Sequence, residues 1–204
     1  MAYIWIILGA MLLLAVIGIV AEGVYTIWAI GKMLFVIFLG VVSVIALDGL
    51  TAFVVRRMPE KWFAPEAKLF TVSDKERLLY RKLKINLWKD HVPELGCFTG
   101  FHKDSLKDTS DSKYLGRFLM ESNYGVMGHV AGAVFGYAIL FLPFLDPYLM
   151  ALPISSVNLV LSLLPAMILR FNTPSLRRLY RRSLKREEAA RAQKAADVFE
   201  NIEK

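Results

Sequence analysis

The sequence predicts an all-α membrane protein, with about four transmembrane helices in two hairpins, a cytoplasmic amphipathic and irregular loop between them, and a C-terminal helix. Three observations carry this prediction. Hydrophobic residues make up 56% of the 204-residue chain, more than an ordinary soluble domain of this size holds. Charge is segregated: residues 1–55 carry only Glu22, Lys32 and Asp48, and 122–169 only Asp146, whereas 56–121 and the segment from Arg170 onward are densely charged. Finally, four apolar stretches, at 1–20, 33–55, 124–145 and 148–169, each supply the roughly 20 residues of helix that cross a hydrocarbon core.

The first stretch lacks a basic leading region and a small-residue cleavage site, so it is expected to be a retained helix rather than a signal peptide. Asp48, inside the second, is either a helix-end residue at the interface or a functional carboxylate facing protein or water. Orientation follows from the cations. Of 25 Lys and Arg, 14 lie between Arg56 and Arg117 and 10 from Arg170 onward, leaving only Lys32 in the first hairpin. Cytoplasmic loops hold such excesses. The expected arrangement therefore has both termini and the 56–120 segment cytoplasmic, with Glu22 and Asp146 in short outer turns. Four segments result: an N-terminal transmembrane hairpin (1–55), a cytoplasmic interfacial segment (56–120), a second transmembrane hairpin with a basic exit (121–182) and a charged helical tail (183–204).

The net charge of +7 is accounted for by topology and by anionic lipid headgroups, so no nucleic-acid partner is expected. The single Cys97 falls in the predicted cytoplasmic loop, where a reduced thiol is expected. No Cys/His spacing suggests a metal site, and neither a glycine-rich phosphate loop nor a nucleophile elbow occurs.

Within the loop, Arg56, Arg57, Met58 and Pro59 mark the exit from the second span. Ser73 followed by Glu76 reads as a capped helix start, predicting a helix over 74–88 with Leu79, Leu83 and Leu87 on one stripe and Arg77, Arg81 and Lys84 opposite. That helix either lies on the membrane surface or packs on the rest of the loop. Trp88 is an interfacial anchor candidate, Pro93 and Gly96 predict an irregular stretch, and 103–113 is expected to be exposed.

The third span is expected to begin as helix near Lys113. Glu121, Asn123, Tyr124 and His129 are the polar or amphipathic groups at its entry, and His129 lies about 80° around the helix from Glu121. An imidazole at that depth is either functional or bonded to a nearby carbonyl. Gly125, Gly128, Gly132 and Gly136 leave one stripe bare, which suits close approach of another helix or a groove for an acyl or prenyl chain. The fourth span ends at Arg170, Phe171, Asn172, Thr173, Pro174, with Arg170 suited to bidentate phosphate contact and Pro174 expected to break the helix.

In order and spacing these pieces resemble the glycosyl-4,4'-diaponeurosporenoate acyltransferase family of carotenoid-glycoside biosynthesis. The resemblance covers roughly 56–182 and rests on Arg57 Met58 Pro59 Glu60 Lys61 Trp62 Phe63, on Trp88 Lys89, on Glu121 with His129 eight residues later, and on Arg170 Phe171 Asn172 Thr173 Pro174 Ser175 Leu176. Val126 and Ser175 depart from the family pattern, and the first hairpin is longer. The resemblance implies transfer of a fatty acyl group from a thioester, acyl-CoA or acyl-carrier, to a hydroxyl of a glycosylated or isoprenoid membrane lipid, with no other cofactor. His129 is then the candidate general base and Glu121 its partner; Lys89, Arg170 and Asn172 are candidates for the donor's phosphates or the oxyanion, and Trp88, Asn123 and Tyr124 for further substrate contacts. Two other readings fit the residues: a non-enzymatic membrane scaffold, and an enzyme acting on a prenyl or pyrophosphate lipid. The oligomeric state is left open.

Overall fold

The computed structural model describes residues 2–23, 26–92 and 110–202, among which helices dominate and no strand occurs. The expectations for Cys97, for Pro93 to Gly96 and for most of 103–113 lie outside the described residues. Six α-helices follow in order: α1 (Ala2–Glu22), α2 (Ile27–Arg57), α3 (Asp74–Lys82), α4 (Ile85–Trp88), α5 (Ser112–Phe135) and α6 (Leu152–Ile202). Four of the helical stretches, Trp5–Glu22, Ile27–Arg57, Ser112–Phe141 and Pro147–Asp197, are long and apolar enough to cross a membrane. Contacts divide the chain into two interleaved units.

The first unit comprises Met1–Met58, Lys84–Glu94 and Gly125–Ile168. Its main core cluster is apolar: Leu14 and Ala15 of α1, Met33, Ile37 and Val44 of α2, and Ile154 of α6 pack with Ile139 and Leu145 from the turn between α5 and α6. Large apolar side chains also face outward, among them Trp28, Phe35 and Phe141. An outward-facing apolar surface of this kind fits hydrocarbon rather than water.

The third span is shorter as an α-helix than expected. α5 tightens into a 3-10 helix over Gly136–Phe141, and Asp146 then caps a π-turn at Pro147–Ala151, accepting from the Tyr148 and Leu149 amides at 2.9 and 2.6 Å. Side-chain donors reach the last α-helical carbonyls. Ser155 Oγ donates to the Gly136 carbonyl (3.1 Å) and Asn158 Nδ2 to that of Gly132 (3.2 Å), offering the backbone an alternative to its own ladder. α2 ends where the sequence indicates, with Met58 extended because it precedes Pro59.

The second unit comprises Pro59–Leu83, Leu95–Tyr124 and Leu169–Lys204. Its 59–70 segment makes two short 3-10 turns, Glu60–Phe63 and Lys68–Phe70, pinned by aromatic packing: Phe63 stacks on Tyr124 of α5 with centroids 3.9 Å apart and tilts on Phe70. Ser73 caps α3 as expected, accepting from the Glu76 amide at 3.2 Å.

The helix predicted over 74–88 is broken. α3 stops at Lys82, Leu83 caps it and Lys84 takes a left-handed conformation (φ 50°) before α4 begins. The buried residues of the broken segment are Tyr80 and Ile85, whereas Leu79, Leu83 and Leu87 are exposed. The leucine stripe is therefore not packed inside the protein.

Pro174 does not break the last helix either, since α6 runs through it to Ile202. Tertiary contacts hold α6 on both sides of the proline. Arg170 and Phe171 bind α3 before it, and Arg177 binds the 67–71 backbone after it. Such pins override the local preference for a break. The start of the tail is also engaged: Glu187 accepts from the amide and hydroxyl of Ser112, both at 2.8 Å, and Ser183 Oγ donates to the Ser110 carbonyl.

Candidate functional site

Among the predicted site residues, Trp88, Lys89 and His129 belong to the first unit, and Glu121, Asn123, Tyr124, Arg170 and Asn172 to the second.

In the first unit, three polar side chains meet at the apolar level of α2, α5 and α6. Asn158 of α6 directs Nδ2 both to Asp48 Oδ1 of α2 (3.3 Å) and to the Gly132 carbonyl of α5 (3.2 Å). Thr51, one turn after Asp48, donates its hydroxyl to the Asp48 carbonyl at 2.9 Å. The bare glycine stripe makes this possible. A Cβ placed on Gly132 would stand 2.7 Å from Asp48 Oδ1, and one on Gly136 would collide with the Asn158 amide. Gly128, by contrast, faces open space. Close approach thus occurs at Gly132 and Gly136 and not at Gly128, and the partner is the chain's own polar cluster.

His129 is partly buried one turn before Gly132 and within about 20° of Gly136 around the helix, on the same broad face. It forms no hydrogen bond with any described residue, so the backbone-bonded alternative does not hold here. Trp88 and Lys89, at the junction of α4 with the 3-10 turn Lys89–His91, are each partly buried and engaged with neighbours. An apolar groove lined by Ile7 and Met11 of α1, Val44 and Ile45 of α2, and Val157 of α6 has Asn158 as its one polar lining residue.

In the second unit Glu76 and Arg170 are paired, while Ser122 Oγ, Asn123 Oδ1 and Arg177 Nε are buried without a hydrogen-bond partner among the described residues. Arg170 Nη2 meets Glu76 Oε2 at 2.7 Å while Nε meets Oε1, a fork on a fork, and Tyr80 also donates to Glu76 Oε1. The Arg170 guanidinium, with the Tyr80 hydroxyl and the Ser73 amide, holds the Glu76 carboxyl below the usual carboxylate range, against the opposing effect of burial. Burial and the neighbouring Glu76 push the Tyr80 phenol upward. Arg170 is thus where phosphate recognition was expected, but its fork is filled by a carboxylate. Asn123, 1% exposed, donates to the Phe63 and Ala64 carbonyls at 3.0 and 3.2 Å, and Tyr124 is committed to the Phe63 stack. These two residues, expected at the substrate, instead fix the 59–70 segment. Asn172 is partly buried and makes no hydrogen bond with a described residue.

Glu121 and His129, eight residues apart on α5, fall in different units.

Sequence reasoning missed Asn158, Arg177 and Glu76. Asn158 carried a signal, a lone amide inside an apolar span. Arg177, 8% exposed, donates to Thr71 Oγ1 at 3.0 Å and to the Ala67 carbonyl at 2.8 Å, and nothing in the charged run around it marked it as the buried one. Among the described residues, no group of three or more His, Cys, Asp or Glu is placed to hold a metal ion.

Comparison with known proteins adds one finding. No curated protein and no solved structure matches the chain. The family model for glycosyl-4,4'-diaponeurosporenoate acyltransferase matches residues 59–182, more than half of it. The chain therefore belongs to the glycosyl-4,4'-diaponeurosporenoate acyltransferase family, whose activity is acyl transfer.

Proposed function

We propose that this acyltransferase moves a fatty acyl group from a thioester, of coenzyme A or of an acyl carrier protein, to a sugar hydroxyl of a glycosylated carotenoid or related isoprenoid lipid, with His129 as general base. In this reading the imidazole takes the hydroxyl proton as the oxygen attacks the thioester carbonyl; the new C–O bond forms, the C–S bond breaks, and the proton passes to the departing thiolate. The observation that carries the reading is His129 itself: an imidazole on an apolar helix, without a hydrogen-bond partner among the described residues, on the broad face where Gly132 and Gly136 admit the Asp48 and Asn158 side chains.

The apolar groove with Asn158 in its lining supports a lipid substrate, since it offers hydrocarbon an apolar wall beside one member of the polar cluster. Lys89 is assigned to the phosphates of the donor. Arg170, already paired with Glu76, is assigned to holding α6 against α3. The cation distribution supports a bacterial cell membrane location with both termini and the 56–120 segment cytoplasmic, where thioester donors are made and anionic headgroups meet the basic residues.

The test is the lipid profile of cells producing the wild-type chain or His129→Ala together with a glycosylated carotenoid. Wild type is expected to yield a new species heavier by one fatty acyl group, and the variant to yield at least 100-fold less. An undiminished acylated species in the variant would remove His129 as the base, and its absence in both would remove this acceptor class.

A further inference from the structure

Asp48 is costly where it stands. A carboxylate on a lipid-spanning helix is disfavoured by a few kcal/mol unless it faces protein groups that use it. Asp48 lies outside the 59–182 family match, and within the first unit it has no cation among its hydrogen-bond partners, only an amide, from Asn158. Its position is built, not incidental. Gly132 has no side chain where Asp48 Oδ1 lies, Asn158 holds that same oxygen while anchored to the Gly132 carbonyl, and Thr51 fixes the backbone a turn away.

The same geometry bounds the distance to His129. Residues three apart on a helix have Cβ atoms about 5–6 Å apart, and Asp48 Oδ1 is 2.7 Å from the Cβ direction of Gly132. Asp48 Oδ1 is therefore within about 9 Å of the His129 Cβ, a span that the imidazole and one bridging water fill.

We propose that Asp48 is the positioning carboxylate of His129, orienting the imidazole and stabilising the imidazolium that forms when it takes the hydroxyl proton, with Asn158 holding Asp48 in place. The proton taken from the hydroxyl remains on the imidazole until the thiolate takes it. The inference rests on the general-base role given to His129 above. It replaces Glu121 with a residue from another helix.

The experiment is a double-mutant cycle on the purified full chain in lipid nanodiscs, with a long-chain acyl-CoA or acyl carrier protein thioester as donor and a glycosylated carotenoid as acceptor. Asp48→Asn keeps an oxygen for Asn158 to bond, so the fold is retained, and thermal unfolding checks this. It is expected to lower kcat about 100-fold with KM for both substrates changed less than threefold. Asn158→Ala should lower kcat about tenfold, because Asp48 keeps its charge but loses its orientation. In the His129→Ala background, Asp48→Asn should have no further effect, since a residue acting through another contributes nothing once that other is gone. Multiplicative losses in the double variant, or wild-type kcat in Asp48→Asn, would overturn the proposal while leaving His129 as the base. Wild-type kcat in His129→Ala would overturn the base assignment and this inference with it.

Discussion

The two units solve the same problem, polar groups away from water, in opposite ways. In the second, Glu76 faces the Arg170 fork and the buried Arg177 rests on a hydroxyl and a carbonyl. In the first, Asp48 has only an amide, and His129 has no hydrogen bond with a described residue. In the proposed reading the Glu76–Arg170 pair of the second unit serves stability and His129 of the first serves the chemistry, although sequence alone had placed the phosphate-binding arginine and the two entry residues at the substrate.

Substitutions can break or sharpen that division. The largest stability effect is expected at Arg177: truncation to alanine removes two hydrogen bonds and the packing of a buried stem, leaving Thr71 and Ala67 with unpaired oxygens. A loss of about 3 kcal/mol should appear as a lower unfolding temperature in detergent, with residual folded protein retaining kcat. A lost kcat at unchanged stability would move Arg177 into the chemistry.

Glu76→Gln comes next. It removes the charge from the Arg170 fork and should cost about 2 kcal/mol. The pH dependence gives the sign. Because the folded carboxyl lies below its ordinary 4.5, its stabilising contribution is complete above that value and is lost as pH falls below it toward the lowered folded value. Unfolding temperature in the wild type should therefore drop on acidification through this window more than in the Gln variant, and equal drops would show that the pair does not stabilise the fold.

A smaller and opposite pattern is expected at Gly132. A methyl group there displaces the Asp48 carboxylate, so Gly132→Ala should cost about tenfold in kcat with little change in unfolding temperature. The smallest effect is at Gly128, four residues away on the same helix. Its missing Cβ meets open space, so Gly128→Ala should leave kcat intact and shift stability by less than about 1 kcal/mol. Equal losses at Gly128 and Gly132 would mean that the stripe acts through general helix packing rather than through Asp48.

Much of the protein was readable before any coordinates, and the family name followed from motif order, as the match over 59–182 bears out. The four apolar helices, the exit at Met58 and Pro59, and the Ser73 cap are consequences of local composition: hydrocarbon length, the constraint proline puts on its predecessor, and a hydroxyl three residues before an amide. The helix predicted over 74–88 failed because a leucine stripe on paper does not reveal that Ile85 is the side chain to be buried, which the turn at Lys84 achieves.

What the tertiary structure alone decided is partnership. Pro174 stays helical because contacts from Arg170 and Arg177 hold α6 on either side of it, and Arg170 meets a carboxylate 94 residues earlier in the chain. Asp48 and Asn158, 110 residues apart, meet against the bare backbone of Gly132. Sequence sets which groups are expensive to bury, because burial cost belongs to the residue. Which distant group offsets that cost depends on where helices cross, and no local pattern encodes that.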